Sequence, residues 1–343
     1  MKADVVIVGA GPAGLYLGSL LERKGISVAI LEEHLSIGKP NHCSGLVSKN
    51  LDFFVKPDDR WIEHRVSGCI IRAGFSELVL KKPSVAAYVI DREEFDQYLV
   101  ERLNSRIFLG TRAESISIEK NYVSTNTNKG MFVSEILAGC DGANSVVARL
   151  LNSGPKKLLN GVIAITREKD FSPYVEIFIE KGLSPDGFLW KIPRGEKTEY
   201  GMFSRNADFS KLEGFFSLKR PYERRAGIIP IGPNKTFFER ALLIGDAAGM
   251  SKPWSGGGLI YGLTATRIAS ETISKAFQEG EFSEKFLSEY ERLWKNSFGR
   301  QIQMGMFGRK IFNKINNGDV EIALKFLKIF TPFLNKLDMD FIL

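Results

Sequence analysis

His42 and Cys43 stand side by side in the stretch KPNHCSGLVS (39–48), within a chain that holds only three histidines and three cysteines. An imidazole beside a thiol offers three kinds of chemistry: a metal site, a nucleophile, or a proton donor in a loop shaped around a bound group. The metal reading is poor, because the two residues are adjacent and no further ligands follow at helical or loop spacing. Cys43, Cys69 and Cys140 are odd in number, widely spaced and form no CxxC pair. Neither a disulfide framework nor a thiolate zinc site is supported, and a reducing, cytoplasmic compartment fits best.

A second group of residues says what the loop is shaped around. The β-branched run DVVIVG (4–9) leads into Gly9-Ala10-Gly11-Pro12-Ala13-Gly14 and then an apolar helical pattern, which is GxGxxG between a strand and a helix. The first glycine permits the tight turn, the second lets the backbone approach a diphosphate, and the third lets helix and strand pack closely. A second strand, SVAIL, ends at Glu32, eighteen residues past Gly14, where a carboxylate meets an adenosine ribose. The same opening run is no membrane span or signal peptide: Asp4 precedes it, and Pro12 and the glycines interrupt it.

Two further segments select the dinucleotide. EILAGCDGANSVVAR (135–149) reads as a strand running into Asp141-Gly142, then a helix carrying Arg149. RALLIGDAAGMSKPWSGGGLIYGLTAT (240–266) reads as a strand ending in Gly245-Asp246, a turn with Pro253, and Gly256 to Gly258 opening another helix. Order and spacing of the three segments resemble the flavoprotein oxidoreductases of the p-hydroxybenzoate hydroxylase fold. The resemblance implies FAD as cofactor, Asp246 on its ribityl chain, and the helix starting near Gly257 and Gly258 aimed at the flavin pyrimidine ring. A helix N-terminus there suits the negative charge that a reduced flavin gathers. DREEFDQYLVERL (91–103) matches the family's RxxFDxxL, which places Arg92 near the FAD.

Within that fold the chain resembles the geranylgeranyl reductases, among them the archaeal enzymes that saturate the isoprenoid chains of membrane lipids. NHCSGLVS is similar to their Cys-x-Gly loop, in which Gly45 would allow close backbone approach to the flavin, SPDGFLWKIPRG (184–195) to their PxxYxWxFP segment, and GDAAGMSKPWSGGG to their version of the third motif. Trp190 and Pro193 are retained, while Phe188 replaces a tyrosine and Ile192 a phenylalanine. FxWxIP also approaches the WxWxIP signature of flavin-dependent halogenases, for which Lys49 is the nearest catalytic lysine; aromatic monooxygenases share the fold, and a non-catalytic FAD sensor is a further alternative. The resemblance implies hydride delivery from reduced FAD to an isolated double bond, with a proton from Cys43 or from a water beside His42. No second GxGxxG follows, so NAD(P)H or ferredoxin, the latter a redox partner protein, binds transiently as electron donor.

These elements imply an α/β fold: a Rossmann-type FAD-binding domain with an inserted antiparallel-sheet substrate domain and a helical C-terminus. The FAD-binding parts fall at 1–50, 85–150 and 236–275, the substrate-binding parts at 51–84 and 151–235, and the C-terminal helices at 276–343. Strand patterns at 174–180 and 198–204 form the sheet that roofs the flavin, with Phe178, Phe188, Trp190, Tyr200 and Phe203 as candidates to line a hydrocarbon tunnel. The net charge of +7 admits phosphorylated substrates or an anionic membrane surface. It brings no block of like charge, zinc-finger spacing or aromatic-basic motif, so nucleic acid is not an expected partner. Lys156, Lys157, Arg220, Arg224 and Arg225 are the donors for the head group of a prenyl lipid. Near the C-terminus Ile322, Phe326, Ile329, Phe330, Phe333 and Leu337 recur at helical spacing among Lys325, Lys328 and Lys336, with Pro332 breaking the run. That pattern fits either a helix packed on the core or a peripheral contact with the inner face of the membrane.

Overall fold

The computed structural model describes residues 1–155, 157–338 and 340; Lys156, one of the head-group candidates, lies outside the described residues. Val5–Val8 forms the middle of a six-stranded sheet, flanked in parallel by Val28–Leu31 and Ile136–Gly139. All four of its residues are buried, as befits a strand covered on both faces, whose sequence is a continuous apolar run. Pro12 opens the helix Pro12–Glu22, where a missing N–H costs nothing, and this helix returns the chain to Val28–Leu31. Ala241–Leu243 adds to the far side of Ile136–Gly139, again in parallel. Three motif-bearing turns thus leave the same edge of one sheet. They are stitched together by Gly9 N–H to Leu31 O, Cys140 N–H to Val8 O and Ile244 N–H to Gly139 O.

The second large sheet has seven strands, in the order Glu223–Pro230, Leu158–Thr166, Thr198–Ser204, Phe188–Pro193, Tyr174–Phe178, Gly68–Ala73 and Ser76–Lys81. It is antiparallel except where Tyr174–Phe178 runs parallel to Gly68–Ala73. Between the two sheets a small one joins Leu46–Ser48, Ala87–Ile90 and Ile62–Val66, so the loop carrying Cys43 feeds directly into a strand that ties both halves together.

The 21-residue helix Leu259–Glu279 packs along Pro12–Glu22 and is followed by Glu284–Trp294, Arg300–Phe312, Asn317–Ile329 and Thr331–Leu334. Pro332 sits in the first turn of the last of these, and Phe330 closes the helix before it, so the break falls where proline forbids continuation. Asn317–Ile329 buries Val320 and Leu324 against Ala73 and Leu78 of the seven-stranded sheet. Ile322, Phe326, Ile329, Phe330 and Phe333 stay exposed, so core packing accounts for one narrow stripe of this helix and not for its other apolar residues.

Candidate active site

The glycine-rich turn meets the steric demands read from its spacing. A Cβ on Gly14 would lie 2.0 Å from the Gly9 carbonyl oxygen, and Gly9, at φ +100°, would clash with Cys140. Gly11 differs: a Cβ there would meet nothing within 4 Å, so its Cα faces open space at the start of the helix. That is the surface a diphosphate approaches. Glu32 follows its strand beside the turn; one carboxylate oxygen accepts from His34 N–H at 2.9 Å and meets the His34 ring Nδ1 at 2.6 Å, while the other accepts only from Ala10 N–H at 2.8 Å and so keeps capacity for a ribose hydroxyl.

Gly245 packs against Ala13, which brings the third motif onto the first. Asp246 follows, half-buried. Its carboxylate accepts no hydrogen bond from the described residues; burial pushes its pKa up, and only the charge of Arg92 draws it back. Gly258 borders the same carboxylate, since a Cβ there would touch Asp246 Oδ1 at 2.4 Å. The helix Leu259–Glu279 starts at Gly258 with no side-chain cap. A half-buried carboxylate without a hydrogen-bond partner among the described residues, an open glycine face and an uncapped helix N-terminus are what ribityl hydroxyls, a diphosphate and a flavin pyrimidine ring require, so the residues fit FAD.

Arg92 is the electrostatic hub. It opens the helix Arg92–Val100 behind the Asp91 cap and pairs with Asp96 one turn on, at 3.2 Å. Burial disfavours its charge, but Asp96 and the neighbouring Cys43 sulfur more than compensate, so the guanidinium stays charged. Cys43 Sγ also accepts from Gly45 N–H at 3.4 Å. The His42–Cys43 loop therefore lies beside the cofactor residues, and His42 packs against Gly227 of the seven-stranded sheet. Among the described residues no group of His, Cys, Asp and Glu could hold a metal ion.

Several expected residues act differently from their sequence reading. Gly45, at φ +71°, makes its close approach to the Ile90 carbonyl, 2.1 Å from a would-be Cβ, so it seats the loop on a strand. Asp141 spends its carboxylate on Ser145 Oγ and on the N–H groups of Val146 and Val147, capping the short helix that follows. Its contribution to the cradle is backbone, pressed on Gly9. Pro253 packs on Gly305 of Arg300–Phe312 and offers its carbonyl to Arg309 at 2.8 Å. Lys49 is exposed on the turn Lys49–Phe53. Arg220 and Arg225 pair with Glu213 and Glu223, and Arg224 covers the ring of Phe209, so these three build no common anion pocket.

The aromatic candidates divide by face. Phe188, Trp190 and Phe203 share the inner face of the seven-stranded sheet, with Phe188 4.8 Å from Phe203 and 6.1 Å from Trp190 between ring centres. Phe178 and Tyr200 point the other way and pack under the helix Phe209–Phe216, so they line no tunnel with the first three. Trp190 lies flat across its cross-strand partner Gly201, where a Cβ would sit 2.0 Å from the indole. Its Nε1–H donates to Glu199 at 2.9 Å.

Glu199 and Arg194 are the residues that sequence reasoning missed. Both are buried and pair at 2.7 Å; Arg194 also pairs with Glu63 and donates to the carbonyls of Ser44 at 2.6 Å and Ile90 at 3.1 Å. Arg194 thereby ties the substrate sheet to the Cys43 loop. Burial pushes Glu199 up to about 7, against the pull of Arg194 and Trp190. Pro193, next in chain to Arg194, ends the strand that delivers it. An arginine directly after FLWKIP and a glutamate within an otherwise largely apolar strand were the available signals. Asp96 was missed too, though i,i+4 spacing from Arg92 announces it.

An FAD-binding-domain family model matches residues 2–199. A digeranylgeranylglycerophospholipid reductase of Methanothrix thermoacetophila is 30% identical, over 93% of this chain and 90% of that protein. An uncharacterised protein of Methanocaldococcus jannaschii is 33% identical, over 93% and 86%. Among solved structures, a geranylgeranyl bacteriochlorophyll reductase-like protein of Thermoplasma acidophilum superposes with a TM-score of 0.88 at 19% identity, covering 95% of this chain and 91% of its own. A flavin-dependent halogenase gives a TM-score of 0.70 at 17% identity, covering 88% and 63%. These last two likenesses establish the fold.

Proposed function

We propose that this chain, which belongs to the digeranylgeranylglycerophospholipid reductase family of FAD-binding proteins, saturates carbon–carbon double bonds of geranylgeranyl or related polyprenyl groups in membrane lipids. The observation that carries the reading is the likeness to a named reductase through nine-tenths of both chains, which takes in the cofactor cradle and the aromatic sheet face alike. FAD in its reduced form supplies the hydride. The protein's part is to hold, exclude and protonate. Gly11, Asp246, Arg92 and the Leu259–Glu279 N-terminus hold the cofactor. Phe188, Trp190 and Phe203 offer an unactivated alkene an apolar wall that keeps water away, and Arg194 and Glu199 fix that wall to the Cys43 loop.

In this reading Cys43, beside Arg92, gives the proton. Cys69 packs against the sheet core, where burial pushes it to about 11, and Cys140 is buried. Electrons come from a transient donor, NAD(P)H or ferredoxin. No helix among the described residues is long and apolar enough to cross a membrane. The exposed Phe326, Ile329, Phe330 and Phe333, with Lys325 and Lys328 beside them, make a peripheral contact with an anionic lipid surface.

The decisive experiment is anaerobic. Bound FAD is reduced with dithionite and a geranylgeranyl lipid is added; the reading expects the flavin to reoxidise as a saturated product appears in the mass spectrum. Flavin that stays reduced until oxygen enters would instead mark a monooxygenase or halogenase. If Cys43→Ala and Cys43→Ser both keep full turnover, the proton comes from elsewhere.

A further inference from the structure

Outside the cradle, a cleft of about 390 Å³ opens between the turn Ile231–Pro233 and the face of Arg300–Phe312 that carries Ile302, Met306 and Lys310. Its floor is apolar, with Trp294 at the base, and three lysines border it: Lys157, Lys295 and Lys310. Lys295 is paired with Glu291 at 2.5 Å, whereas Lys157 and Lys310 form no ion pair with a described residue. Next to them Arg309, only 3% exposed, spends its charge on two backbone carbonyls, those of Pro253 and Asp186, and its Nε–H has no partner among the described residues. The carboxylate of Asp186 is itself taken by Arg205 and Ser204. Burial and the nearby Arg309 both disfavour the charge on Lys157. Glu291 offsets Lys295, and Asp186 alone offsets Lys157 and Arg309 while it is already paired with Arg205, so the partly desolvated spot keeps an excess of positive charge, which favours an anion.

The cleft shares its inner wall with the aromatic face. Met306 and Ile231 line it and pack on the inner cluster that contains Trp190 and Phe203. Met306 touches Gly232, where a Cβ would lie 3.2 Å from its methyl. A flexible thioether is the kind of side chain that yields to a passing hydrocarbon. The cleft is at the small end of ligand pockets, so a head group fills it and a polyprenyl chain must continue elsewhere.

We propose that this cleft is the head-group mouth of the lipid site: the phosphate ester of a prenylated glycerophospholipid sits on Lys157 and Lys310, and the chain passes Met306 toward the aromatic face. The assignment rests on the reductase reading and goes beyond it by naming where the head group binds. It accounts for Lys157 among the sequence's head-group donors and replaces the arginines with Lys310.

The test measures binding to the full-length, FAD-loaded protein in detergent micelles, using geranylgeranyl phosphate and geranylgeraniol as probes. Wild type is expected to hold the phosphate about tenfold more tightly than the alcohol, a preference that weakens with salt. Lys157→Gln/Lys310→Gln loses that preference and keeps its affinity for the alcohol; the exposed Lys310→Gln alone loses part of it. Equal binding of both probes by wild type, an undiminished preference in the double variant, or displacement of the lipid by equimolar inorganic phosphate overturns the assignment. Reduction is scored separately with geranylgeraniol, which carries no phosphate, so a failed reductase reading and a failed head-group site give different results.

Discussion

The two faces of the seven-stranded sheet are made from the same strands and serve different ends. Alternate residues of Phe188–Pro193 and Thr198–Ser204 point inward, giving Phe188, Trp190, Glu199, Gly201 and Phe203, while Leu189, Tyr200 and Met202 point outward. The outer face is covered by the helix Phe209–Phe216 and is ordinary core. The inner face carries a buried ion pair, an indole that requires a glycine beneath it, and hydrogen bonds that reach the Cys43 loop. One residue of register separates packing from chemistry.

Changes on the inner face should cost both stability and turnover. Arg194→Leu leaves Glu199 buried without its partner and frees the Ser44 and Ile90 carbonyls. A loss of about 3–5 kcal/mol is expected in denaturant unfolding, with turnover falling in whatever protein remains folded. Glu199 gives a pH signature. Its pKa in the folded protein lies near 7, above the ordinary 4.5, so its contribution is full below pH 4.5 and is lost as pH rises toward 7. Roughly 3 kcal/mol of stability should disappear across that window, and Glu199→Gln should flatten this part of the profile.

Gly201→Ala places a methyl into the Trp190 indole and should cost about 1–3 kcal/mol by overpacking, with KM for the prenyl substrate rising. On the outer face Tyr200→Phe removes one hydrogen bond, to Glu168 at 2.6 Å, and should cost about 1 kcal/mol with kcat/KM unchanged. If Tyr200→Phe impaired catalysis as much as Gly201→Ala, the division between the faces would fail.

Much of the cofactor side was legible before any fold was known. Gly9 and Gly14 owe their identity to contacts within one turn or across one pair of adjacent strands, and Gly11 to the open face it leaves at the helix start, so spacing alone announces all three. The substrate side was harder to read. Trp190 and Phe203 could be named, but not separated from Phe178 and Tyr200, because hydropathy shows alternation without saying which face meets the cofactor. Asp141 and Gly45 lie in the expected neighbourhood but spend themselves on protein contacts: a carboxylate in a motif caps a helix as readily as it meets a ligand, and a positive-φ glycine serves whichever backbone comes near.

By itself, then, the sequence determined the strand–turn–helix units and the order of the three motif turns, since these follow from local sterics and short-range periodicity, and the resemblance those motifs carry implied the cofactor. Tertiary structure alone decided that Arg194 would grip the Ser44 carbonyl from 150 residues away, that the Asp246 carboxylate would accept no hydrogen bond from the described residues, and that Lys157 and Lys310 would border one cleft. Those contacts depend on how the sheets are stacked, and no local interaction encodes the stacking; it is set by the burial of both sheet faces at once.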